Sequence, residues 1–120
     1  MTTGSPDRRQ FLRLAASLPV AYSQVSVGER ASARTADVGA QGVQLVVEEP
    51  LPIGSHLAIE LRLAERVISF VGEIVWRQSV EGGSGGWSYQ VGVKFLTISP
   101  KDQQAIARLV ECPEDNTTPP

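Results

Sequence analysis

Leu57, Ile59, Leu61 and Leu63 alternate with Ala58, Glu60, Arg62 and Ala64, and this alternation limits the fold more than any other feature. A period of two places every large apolar side chain on one face of a β-strand. Trp87, Tyr89, Val91, Val93 and Phe95 repeat the pattern, and Leu18, Val20 and Tyr22 repeat it between Pro19, Ala21 and Ser23. Two further strands are expected at Ala31–Val38 and at Val43–Val47, which is rich in β-branched residues. Val67–Val80 is long for a single strand, so Gly72 is expected to mark a bulge or bend within it. The joints are rich in turn residues: Val27–Arg30, Gly39–Gly42, Glu48–Gly54, Ala64–Arg66 and Gly82–Gly86. At Gly39 and Gly42 the expectation is a tight turn using positive φ, which glycine adopts without steric cost.

About six strands at hairpin spacing predict an all-β chain: a small six-stranded antiparallel β-barrel. Closure removes the exposed edges that such apolar strands would otherwise present. A C-terminal α-helix follows, with Ser99 as its cap, Pro100 in its first position and Asp102 in its positive first turn. Its Ile106, Leu109 and Val110 share one face, expected to close an end of the barrel. The 120 residues make one domain, read as 8–111, with a disordered leader at 1–7 and a disordered tail at 112–120. Phe11, Leu12 and Leu14 are expected to form a short turn that pins the N-terminal arm.

Charge narrows the function classes. The first 37 residues carry five arginines against three acidic groups, and the rest carries six basic and ten acidic residues. A general nucleic-acid binder is usually more basic than this, so neither DNA nor RNA is an expected partner. No apolar run approaches the roughly 20 residues needed to cross a bilayer, so no membrane insertion is expected. The lone Cys112 allows no internal disulfide and fits either a reducing compartment or indifference to redox, and the expected location is cytoplasmic. Arg8-Arg9-Gln10-Phe11-Leu12 also resembles a twin-arginine export signal, with Ala31-Ser32-Ala33 as a cleavage site. The apolar region that signal requires is broken by Arg13, Pro19, Tyr22 and Gln24.

Two segments stand out chemically. Arg8-Arg9-Gln10-Phe11-Leu12-Arg13 precedes the first long strand, and Asp37-Val38-Gly39-Ala40-Gln41-Gly42 joins the next two. Alone, the first is a charged arm and the second a hairpin turn. Together, with Gly72-Glu73-Ile74-Val75-Trp76-Arg77 and Val91-Gly92-Val93-Lys94-Phe95 behind them, they resemble the PilZ domain, a bacterial receptor module for cyclic di-GMP. The family's Arg-x-x-x-Arg pattern is filled by Arg9 and Arg13. Its [Asp/Asn]-x-Ser-x-x-Gly pattern is filled at its ends by Asp37 and Gly42, with Gly39 where the family has serine. The resemblance implies a split-barrel fold over residues 8–111.

It also implies a site. Arginine's planar fork donates in pairs to phosphate oxygens or to guanine O6 and N7, the role implied for Arg9 and Arg13, with Arg8 as a helper. Asp37 would accept from guanine N1 and N2, and Gly42 would allow close approach of the turn. Gly39 offers backbone in place of a hydroxyl, a loss of about 0.5–1.5 kcal/mol or roughly 2- to 12-fold in affinity. Trp76 is a further candidate, for stacking on a base.

The expected function is a cyclic di-GMP receptor that needs no cofactor or metal. Its N-terminal arm would fold onto the ligand and change the surface offered to an unidentified protein target, in motility, pilus, biofilm or exopolysaccharide control. A degenerate interaction module without nucleotide binding is one alternative. A small barrel binding single-stranded nucleic acid through Trp76, Trp87 and the arginines is another. Catalysis has no evident players, because His56 and Cys112 are the sole residues of their kinds and neither has a nucleophile–base partner.

Overall fold

The computed structural model describes residues 13–81 and 87–111. Arg8, Arg9, Phe11, Leu12, the Gly82–Gly86 loop and Cys112 lie outside the described residues. Seven strands and one helix follow in order: β1 (Arg13–Ala15), β2 (Pro19–Gln24), β3 (Arg30–Gly39), β4 (Gly42–Val47), β5 (His56–Arg62), β6 (Val67–Glu81), β7 (Trp87–Ile98) and α1 (Pro100–Glu111).

All pairings are antiparallel. Strands β3, β2, β5, β6, β7 and β4 follow one another around a barrel, and the β3–β4 pairing closes it. Strand β1 lies outside this ring, against the second half of β3, with Arg13 opposite Gly39 and Ala15 opposite Asp37. The expected turn at Leu14 is therefore a short strand. Three residues carry too little pattern to announce a strand, and this one exists because β3 runs beyond the end of β2 and offers a free edge.

Alternation becomes burial as expected. Val20, Tyr22, Leu45, Val47, Leu57, Ile59, Leu61, Ile68, Phe70, Ile74, Val91 and Val93 fill the barrel. Phe70 meets Phe95 edge to face, with ring centroids 4.7 Å apart. Helix α1 buries Ala105, Ile106 and Leu109 against β3, β1 and β6, with Val110 half-buried at the margin. Asp102 bonds the Ser69 amide and pairs with Arg66 at 2.9 Å, and Ser99 accepts from the Asp102 amide as the cap should.

Two glycine expectations are corrected. Among the described residues positive φ occurs only at Gly28 (89°) and Gly54 (94°), not at Gly39 or Gly42. Gly42 is needed for space: a Cβ there would run into the Val93 carbonyl oxygen and the Lys94 Cα of β7. Near Gly72 the ladder does shift register, but the extra residue is Leu96 on β7. A second shift in β6 leaves Val75 unpaired between Ile74, opposite Val93, and Trp76, opposite Gly92.

Candidate functional site

The site is built on the outer face of β3, β4, β7 and β6. Val38, Val43, Val91 and Val93 point into the barrel, so Asp37, Gly42, Gln44, Gly92 and Lys94 point out. Residues opposite one another in a ladder share a face. Asp37 of β3 faces Gln44 of β4, Gln44 faces Gly92 of β7, and Gly92 faces Trp76 of β6, so one row crosses four strands.

The bulge at Val75 puts Trp76 in that row. After Ile74, which points inward, strict alternation would send Trp76 inward as well. The extra residue resets the phase, which is a common use of bulges near sites. A Cβ on Gly92 would collide with the Trp76 indole, so the ring lies on bare backbone and is half-buried there.

Arg13 reaches this face from β1. It stands opposite Gly39, and its guanidinium donates from Nε and Nη2 to Asp37 Oδ1 at 2.8 and 2.5 Å. Nη2 also lies 3.4 Å from the Gly42 carbonyl oxygen. The fold thus brings Arg13, Asp37, Gly39 and Gly42 together, with Trp76 in the same row as Asp37. Cross-strand spacing is about 4.8 Å, so the path along the curved barrel wall from Asp37 to Trp76 is roughly 14 Å.

The segment behind Arg13 is fastened by groups that sequence reasoning missed. Thr35, a buried polar residue of β3, accepts from the Leu18 amide at 2.9 Å and donates to the Ala16 carbonyl. Arg34 donates from Nε to Ser17 Oγ at 2.6 Å and from Nη2 to the Ser17 carbonyl at 2.7 Å. Both residues sit beside the β3 bulge at Ala36. Gln44, which accepts from Gln90 Nε2 at 2.6 Å, and Lys94, exposed beside Gly42, are also on this face. Although Lys94 lies in the Val91–Phe95 segment, nothing in the sequence places either residue on this face, because that depends on register.

A cation and a carboxylate beside bare glycine backbone, with an indole in the same row, can present paired donors, an acceptor and a stacking surface to a planar anionic ligand. The sequence matches the PilZ domain family over residues 7–112. The chain belongs to the PilZ domain family.

Solved PilZ structures share its fold. The PilZ domain of Escherichia coli YcgR, solved with c-di-GMP, superposes with a TM-score of 0.67 at 18% identity, covering 86% of this chain and 88% of that one. Bacillus subtilis MotI/DgrA, an inhibitor of motility, gives 0.70 at 18% identity, over 86% of this chain and 49% of that one. MrkH of K. pneumonia gives 0.71 at 19% identity, over 85% and 47%. The chain thus spans about half the length of MotI/DgrA and MrkH. At these identities the likeness is one of fold. No curated protein matches the sequence significantly. Among the described residues no helix is long and apolar enough to cross a membrane, and no group of three His, Cys, Asp or Glu side chains could hold a metal ion.

Proposed function

We propose that this PilZ domain is a cyclic di-GMP receptor that relays binding to a protein partner. The observation that carries the reading is the Arg13–Asp37 contact, which joins the two halves of the family signature at one place. YcgR's PilZ domain, which has the same fold, was solved with c-di-GMP. Arg13 turns its fork from Asp37 to guanine O6 and N7, and Asp37 accepts from N1 and N2 in exchange. An exposed ion pair is worth only about 0–1 kcal/mol, so the exchange costs little. Arg8 and Arg9 supply the remaining cationic contacts from the N-terminal side, and Trp76 offers its indole face to a base.

The domain acts as a receptor and not as an enzyme. Closure of the Arg8–Arg13 arm over the nucleotide changes the surface that a protein target reads. We assign the receptor to the cytoplasm, where its lone thiol would stay reduced. Motility, pilus, biofilm or exopolysaccharide control are the processes such a relay would serve.

Thermal denaturation with and without cyclic di-GMP tests the reading. Ligand at 100 times its dissociation constant stabilises the folded chain by about 2.7 kcal/mol, so the melting temperature rises with ligand and does not rise with GMP at the same concentration. An unshifted melting temperature would favour a PilZ-shaped interaction module without nucleotide binding, with Gly39 as the departure that removed it.

A further inference from the structure

Lys94 is directly opposite Gly42 in the β4–β7 ladder and opposite Glu73 in the β6–β7 ladder. Its neighbours Val93 and Phe95 turn toward the core, so its side chain leaves on the outer face, where it is exposed. Arg13 pairs with Asp37, Arg30 with Glu60 and Arg66 with Asp102. Glu73, although opposite Lys94, does not pair with it.

Fold maintenance does not account for a lysine at this position. Strand β7 is hydrogen-bonded on both sides, to β4 and β6, so no exposed edge there needs a charge to discourage aggregation. Lysine is disfavoured in strands relative to threonine or valine, and any small polar residue would satisfy the alternation. What the position does offer is a place in the site. The Arg13 guanidinium reaches Gly42 from the β3 side, and Lys94 stands on its β7 side. Gly42 has no room for a side chain, so the backbone between the two cations stays bare.

We propose that Lys94 is a further ligand-binding residue of this PilZ domain, contacting a phosphate of the bound cyclic dinucleotide across Gly42. The assignment rests on the receptor reading and extends it. Cyclic di-GMP carries two phosphates about one macrocycle. The planar fork of Arg13 suits a base edge or a bidentate phosphate contact, whereas a lysine ammonium is a compact point charge that suits a single phosphate oxygen.

The test is calorimetric titration of the intact chain and of Lys94→Met, Lys94→Glu and Lys94→Arg proteins with cyclic di-GMP at low and moderate salt. Lys94→Met keeps the stem and removes the charge, and is expected to weaken binding about 5- to 10-fold and to make it less sensitive to salt, since one screened charge–charge contact is gone. Lys94→Glu must weaken it further, and Lys94→Arg must recover most of the affinity. Melting temperatures of the unliganded variants should match the wild type, since the side chain is exposed. Binding by Lys94→Met and Lys94→Glu within twofold of wild type, with an unchanged salt slope, would overturn the assignment and leave the receptor reading standing. Absence of binding by the wild type would overturn both.

Discussion

Arg13 and Asp37, 24 positions apart in the chain, meet through two hydrogen bonds from one guanidinium to one carboxylate oxygen. Strand β1 makes this possible by extending along the free part of the β3 edge, with Arg13 opposite Gly39 and Ala15 opposite Asp37. Arg13 then reaches diagonally past a residue that has no side chain. Arg13 is 40% exposed and Asp37 20% exposed, so the contact is screened and adds little to folding.

Arg13→Ala should therefore change unfolding free energy by no more than about 1 kcal/mol. Urea denaturation monitored by fluorescence measures it. A loss of several kcal/mol would mean that the pair is structural and that its place in the signature is incidental to binding.

Gly39→Ser restores the family hydroxyl directly opposite Arg13. One neutral hydrogen bond contributes about 0.5–1.5 kcal/mol, so the variant should bind cyclic di-GMP roughly 2- to 12-fold more tightly. Weaker binding in a folded Gly39→Ser protein would show that Arg13 needs the bare backbone more than the ligand needs the hydroxyl.

Thr35→Val keeps the shape of a buried side chain but removes the hydroxyl shared by the Leu18 amide and the Ala16 carbonyl. Leaving these groups without a partner costs about 1–3 kcal/mol. The urea midpoint should fall at an unchanged slope, and cyclic di-GMP binding should weaken as well, because these bonds fasten the segment that carries Arg13. Unaltered stability would mean that the Arg34 bonds to Ser17 and the position-35 amide's bond to the Leu18 carbonyl hold the Ala16–Leu18 link without the hydroxyl.

Most of the barrel was legible because each long strand alternates and strong turn residues separate the strands. What the sequence concealed are consequences of register. Strand β1 is too short to show a period and is specified by the edge of β3. Trp76 reaches the outer face through a bulge at Val75, and nothing in Ile74-Val75-Trp76 announces an unpaired residue. Gly42 looked like a turn glycine, yet the constraint on it is the backbone of β7, some 50 residues downstream. In the candidate site, Asp37 and Gly42 were legible as a pattern, whereas the place of Gln44 and Lys94 on the same face became visible only once β4 was paired with β7.

Tyr22 gives the barrel an alkaline limit. Burial first, then its 2.7 Å hydrogen bond to Glu49 and the charges of Glu49 and Glu48, hold its hydroxyl well above the ordinary tyrosine value near 10. In the unfolded chain it ionises near pH 10, while in the folded chain it stays neutral well beyond that. Its contribution is thus fully present below pH 10 and is lost as pH rises above it. Denaturant midpoints from pH 8 to 11 should fall more steeply in the wild type than in Tyr22→Phe. Parallel curves would place the alkaline sensitivity elsewhere.

The central claim is that the Arg-x-x-x-Arg segment and the Asp37–Gly42 turn form one cyclic di-GMP site. Calorimetric titration of the intact chain, beside Arg9→Ala and Arg13→Ala proteins, tests it most directly. Saturable binding by the wild type is predicted, with each variant weakened by about 1.5–3 kcal/mol, roughly 12- to 160-fold. No heat from the wild type at any practical concentration, together with an unshifted melting temperature, would contradict the claim.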